Sequence, residues 1–126
     1  MYKVVASSVA PYRFSVRSKD GEVVVDAKGG SISPPDTFLA GLASCVGVYV
    51  RKYADGAKIG LEDFTITAEA DLGSAAPYQF REISVSIDLK GAGLDERRKT
   101  ALIEFVKNCP MHNTLRGQPA VDIRIQ

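Results

Sequence analysis

Apolar and polar residues alternate through most of the first 27 positions and again over two stretches in the second half. Two segments of helical spacing separate these stretches. Residues 2–7 form a short apolar, β-favouring run, and residues 12–18 place Tyr12, Phe14 and Val16 on one face and Arg13, Ser15 and Arg17 on the other. The Lys19-Asp20-Gly21 turn leads into residues 22–26, and Asp-Gly between two β-type runs is a hairpin signal. These segments predict a three-stranded antiparallel meander. After the Lys28-Gly29-Gly30-Ser31-Ile32 loop, Ser33 suits an N-cap, Pro34 the first helical position and Asp36 the capping-box acid. The helix is expected to run to Ala54 and stop at Asp55-Gly56. At 100° per residue, Phe38, Leu39, Leu42, Cys45, Val46, Tyr49, Val50 and Tyr53 share an arc of roughly 140°. Ala40, Gly41, Ser44 and Gly47 flank that arc with small side chains that permit close approach of another element.

Residues 64–72 and 80–89 alternate again, with Phe64, Ile66, Ala68, Ala70 and Leu72, then Ile83, Val85, Ile87 and Leu89, turned inward. Asp95 reads as the N-cap of a second helix over 96–108, whose apolar side carries Leu102, Ile103, Phe105, Val106 and Cys109. The Cys109-Pro110 step ends or kinks it, and residues 111–116 are expected to add one further helical turn. Val121, Ile123 and Ile125 alternate with Asp122, Arg124 and Gln126 as a last strand. The predicted order is βββ-α-ββ-α-β, an α+β fold with antiparallel pairing.

The chain has 126 residues, which suits a single domain over 1–126. Sixteen basic against 15 acidic residues leave a formal charge of +1, which gives no electrostatic reason for a nucleic-acid or membrane partner. The longest run free of charge, 37–50, is shorter than the roughly 20 apolar residues of a membrane span. The MYKVVASS start has no apolar signal-peptide core, so a cytoplasmic, reducing location is expected.

Two cysteines are too few for a disulfide scaffold. They are a buried pair, a transient redox couple or part of a metal site. Cys45 lies about three turns into its helix, beyond the reach of that helix's dipole, and burial among Phe38, Leu42 and Tyr49 would raise its pKa. A nucleophilic role therefore requires a cation from elsewhere in the fold, since Lys52 is two turns away and too far for contact. Arg13 or Arg17 could supply it, because a guanidinium can both stabilise a thiolate and hydrogen-bond a departing oxygen. Cys109, placed at a helix C-terminus, suits a resolving thiol. Facing helices would point both sulfurs into one interface. His112, the only histidine, forms a C-x-x-H spacing with Cys109, but no second Cys/His cluster completes a metal site. A hydrolase built on Cys45 and His112 is a distant third possibility, and its orienting group is missing.

The run Pro35-Asp36-Thr37-Phe38-Leu39-Ala40-Gly41-Leu42-Ala43-Ser44-Cys45 resembles the cysteine-bearing helix of the OsmC/Ohr superfamily. Asn108-Cys109-Pro110-Met111-His112-Asn113-Thr114-Leu115 resembles that family's second signature. The resemblance covers nearly the whole chain. It implies an intertwined homodimer in which antiparallel sheets with strands from both subunits wrap two central helices. It also implies a thiol-dependent peroxidase acting on organic hydroperoxides. Carried over, Cys45 is the peroxidatic cysteine and Cys109 the resolving one. Arg13, or Arg17, and Asp36 match the assisting groups, and an external dithiol, often lipoyl, is the reductant. No bound cofactor is implied. Pro35 stands where the Ohr branch has its glutamate, while Asp36 aligns with the acid of the broader OsmC-like sequences. An apolar pocket lined by Phe38, Leu42, Tyr49 and Phe105 would favour alkyl hydroperoxides over H₂O₂. The alternative is a protein of this fold that binds a small apolar ligand or senses redox state without turnover.

Overall fold

The computed structural model describes residues 1–126. It contains β1 (Val5–Ala10), β2 (Arg13–Arg17), β3 (Glu22–Asp26), α1 (Pro34–Gly56), β4 (Thr65–Leu72), β5 (Phe80–Asp88), α2 (Glu96–Val106) and α3 (Pro110–Gly117). The architecture is α+β, with one three-stranded and one two-stranded antiparallel sheet. The chain divides into two compact units, Met1–Ala40 and Gly41–Gln126, with the division inside α1.

In the first unit the strands form the predicted meander in the order β1-β2-β3. β1 lies three residues later than its apolar run suggests. The tight Pro11-Tyr12 connection sets the hairpin register, so Ala10 pairs with Arg13 and Val5 with Arg17. Residues 2–4 extend past the end of β2 and have no ladder partner. The expected turn after β2 forms, with Ser18 N–H donating to the Gly21 carbonyl at 2.9 Å. The start of α1 follows its sequence signals. Ser33 Oγ accepts from Asp36 N–H at 3.2 Å and donates to the Asp36 carboxylate at 2.8 Å, so the acid is engaged in the cap.

The second unit holds the hydrophobic core. Leu42, Val46, Val50 and Ala54 are the buried stripe of α1, and Leu61, Leu94, Leu102, Val106 and Cys109 close around it. The stripe is narrower than the predicted arc, with Cys45, Tyr49 and Tyr53 half-buried along its edge. Phe105 of α2 packs between Tyr49 and Tyr53 at centroid distances of 5.9 and 5.7 Å, which seats α2 on α1. The hairpin β4–β5 turns Ile66, Ile83 and Ile87 to the same core, and Ile66 reaches within 3.5 Å of where a Gly47 Cβ would stand. This is the close approach expected beside the small-residue flank. Arg51 ties down the connection before β4. Its guanidinium donates to the carbonyls of Leu61 and Glu62 and lies 5.0 Å from the Phe64 ring centroid. Asp95 caps α2 as predicted, accepting from Arg98 N–H at 2.8 Å.

Two expectations are corrected here. Residues 121–126 form no strand within the chain, and Val121, Ile123 and Ile125 are exposed. Their alternation is genuine, but a strand is held by a ladder partner and the segment has none in its own chain. The single extra turn after Cys109 is instead an eight-residue helix, with Pro110 at its start.

Val50 is fully buried at the centre of the α1 stripe. Val50→Ala should cost about 2 kcal/mol, and loss of the Asp95 cap in Asp95→Ala about 1 kcal/mol, both read as shifts in the urea unfolding midpoint.

Candidate functional site

Both cysteines fall in the second unit, where the structure brings them together as reduced thiols. Cys45 sits at the half-buried edge of the α1 stripe, four residues before Tyr49. Cys109 is completely buried in the core. Cys45 packs against the buried cluster that contains Cys109, so both cysteines belong to one core.

The route by which Cys109 arrives there differs from the expectation. α2 ends at Val106, and its last turn tightens through hydrogen bonds from Asn108 N–H to Phe105 O and from Cys109 N–H to Val106 O, each 3.0 Å. Cys109 therefore lies beyond α2's C-terminus and occupies the N-cap position of α3. The Cys-Pro step is expected to end or kink α2, with one further helical turn after it. Pro110 at the first helical position is equally the start of another, because its fixed φ and missing N–H suit that place. The Cys109 side chain makes no capping hydrogen bond of its own. The backbone N–H of Met111, at the second helical position, instead favours the charged form of Cys45.

Four influences set the ionisation of Cys45. Burial is the largest, and it pushes the thiol above the ordinary cysteine range. Cys109 also favours the protonated form. The Met111 N–H opposes both, joined by the charge of Lys52. Burial and Cys109 thus favour the Cys45 thiol, while the Met111 N–H and the Lys52 charge favour the thiolate. Sequence reasoning missed two of these groups. A backbone N–H has no side-chain signature, although Pro110 marks the helix start that supplies it. Lys52 acts on the sulfur through its charge and not by contact, so a contact criterion along the helix does not detect it.

The second unit also carries an apolar groove of about 280 Å³ between α1, β5, α2 and α3, lined in part by Leu42, Val46, Ile83, Val85, Ile103 and Leu115. Of the four residues expected to line an apolar pocket, only Leu42 lines this groove. Tyr49 and Phe105 pack on each other instead. His112 stands at the groove with Nδ1 3.1 Å from the Lys107 carbonyl. A carbonyl only accepts, so Nδ1 carries the proton. The ring is thus spent on the α2–α3 junction, without the carboxylate orienter a cysteine hydrolase would require.

Arg13, Arg17, Asp36 and Phe38 belong to the first unit. Arg13 Nη1 contacts Asp26 Oδ2 at 3.0 Å, across the directly paired Arg13 and Asp26 positions of β2 and β3. The other oxygen of that carboxylate accepts from Lys28 N–H at 2.8 Å. Arg17 reaches Glu22 at 3.3 Å and is more exposed. The Ser15 hydroxyl and the Arg17 charge together hold the Glu22 carboxyl below its usual range. Phe38 is half exposed. No helix is long and apolar enough to cross a membrane.

Comparison with known proteins agrees with this arrangement. The chain is 29% identical over 120 residues to a hydroperoxide reductase of Mycoplasma genitalium, an alignment covering 86% of this chain and 82% of that protein. Its fold matches an OsmC-like protein from Mycoplasma pneumoniae with a TM-score of 0.81 at 22% identity, covering 93% and 88% of the two chains. An organic hydroperoxide resistance protein from Legionella pneumophila matches at a TM-score of 0.65 and 26% identity, covering 93% and 91%. The model of the OsmC-like protein family matches residues 27–124, which include both cysteines and every helix. The chain belongs to the OsmC-like family.

Proposed function

We propose that the protein is a thiol-dependent peroxidase that reduces organic hydroperoxides. The observation that carries this reading is the placement of Cys45 and Cys109, two reduced thiols, in one core. The names of the Mycoplasma genitalium and Legionella pneumophila relatives support the substrate class. The Cys45 thiolate attacks the distal peroxide oxygen. The O–O bond breaks, Cys45 becomes a sulfenic acid, and the alkoxide leaves as an alcohol after taking a proton. Cys109 then attacks the Cys45 sulfur, closing the disulfide and releasing water. An external dithiol of lipoyl type restores both thiols and is itself oxidised to a disulfide. No bound cofactor is needed.

Cys45 is the more accessible sulfur, which fits the peroxidatic role, and buried Cys109 fits the resolving one. Arg13 is assigned as the assisting guanidinium in preference to Arg17, because Asp26 fixes it and leaves it less exposed. Asp36 is retained as the family acid, with its cap to Ser33 as its structural role. Phe38, Leu42, Tyr49 and Phe105 are retained as the apolar contacts of the alkyl group. Such a protein would serve as a cytoplasmic antioxidant in a stress response.

A second reading, ligand binding or redox sensing without turnover, is favoured by the apolar groove and by the engagement of Arg13, Arg17 and Asp36 with partners of their own. Steady-state assays with cumene hydroperoxide and dihydrolipoamide separate the two. Cys45→Ser should lose at least about a thousandfold in kcat/KM. Cys109→Ser should stall as a sulfenic acid that dimedone traps at Cys45. Unchanged turnover by Cys45→Ser, or a wild type inert to the hydroperoxide, supports the second reading against the first.

We also propose a homodimer in which residues 121–126 add as a strand to a sheet of the second chain. Support comes from their alternation, the exposure of Val121, Ile123 and Ile125, and the single ladder partner of β1. Light scattering should give twice the chain mass. A chain ending at Ala120 should dissociate at concentrations where the full chain remains dimeric, and a monomeric full-length protein would refute the proposal.

A further inference from the structure

Cys45, Tyr49 and Lys52 are spaced i, i+4 and i+7 on α1, which places them in one stripe along the helix. Helical side chains lean toward the N-terminus, so a long side chain at 52 extends over 49 and toward 45. The Lys52 ammonium lies over position 49, 4.7 Å from the centroid of the Tyr49 ring. That ring is itself held by Phe105 across the α1–α2 seam, so it is a fixed platform. The ammonium forms no ion pair with any carboxylate, and its charge is therefore not neutralised locally.

We propose that Lys52, laid back over Tyr49, is a positioning residue whose charge stabilises the Cys45 thiolate, in concert with the Met111 N–H at the start of α3. From its own helix Lys52 acts on the sulfur, and from the α2–α3 side Cys109 and the Met111 N–H do so. His112, the other titratable group in the first turn of α3, is engaged with the Lys107 carbonyl. Cys109 favours the thiol, while Lys52 and Met111 favour the thiolate. The cation requirement that the position of Cys45 creates is thus met within the same helix. The proposal concerns the ionisation of Cys45 alone and holds whether or not a peroxide is the natural oxidant.

The test is the rate of Cys45 alkylation by iodoacetamide, a neutral reagent, between pH 6 and 10 at low salt, with Cys45 and Cys109 peptides resolved by mass spectrometry. The wild-type rate should still be climbing where a free cysteine peptide has levelled off, because burial raises the Cys45 pKa. Lys52→Met keeps the stem over Tyr49 and the helix propensity but removes the charge. It should move the profile to higher pH and slow alkylation about two- to fivefold at pH 8. Lys52→Arg should restore the wild-type profile. Added salt should slow the wild type and leave Lys52→Met unchanged. A Lys52→Met profile superimposed on wild type, or one that Lys52→Arg fails to rescue, overturns the proposal. Peroxide is absent from this experiment, so its result is independent of the peroxidase assay.

Discussion

The proposed chemistry of the second unit depends on one constraint: two free cysteines from distant parts of the sequence share one packed core. α1 supplies Cys45 at the edge of its buried stripe, and the break between α2 and α3 supplies Cys109 at full burial. Tyr49, Tyr53 and Phe105 fix the spacing of the two helices, so the shared core of the two cysteines is a consequence of aromatic packing as much as of the cysteines. Burial makes the arrangement possible and also opposes it, because a desolvated thiol resists ionisation. The Met111 N–H and the Lys52 charge are the two features of the second unit that act in the other direction.

The junction between α2 and α3 is where local backbone rules become chemistry. Three-residue hydrogen bonds tighten the end of α2, and Pro110 then permits a new helix to begin at once. A continuous helix through position 109 would leave no free N–H near Cys45, since mid-helix amides bond to their own backbone. The Cys-Pro step therefore does two things. It delivers the second sulfur, and it turns an unpaired helix-start donor toward the first.

Much of this was legible in the residues, and the parts that were not share a cause. The caps at Ser33 and Asp95, the Asp20-Gly21 turn and the alternation of β4 and β5 all act over a few neighbouring positions, and each forms as read. The two cysteine signatures pointed to the pair that the fold joins. What escaped was set by tertiary geometry or by atoms common to every residue. β1 shifted because a turn fixed its register, the Met111 donor belongs to the backbone, and Lys52 acts by leaning along its helix. The 121–126 alternation was read correctly as a pattern. A strand nevertheless needs a ladder partner, and this chain offers the segment none.

The account stands or falls on whether the two thiols act as one redox unit. Intact mass spectrometry of the fully reduced protein after one equivalent of cumene hydroperoxide, with peptide mapping, addresses this directly. The shared core of the two thiols predicts the loss of two hydrogens per chain and a single Cys45–Cys109 cross-linked peptide, with no lasting oxygen adduct. Survival of both thiols, or stable oxygen addition at Cys45 with Cys109 still reduced, would contradict it.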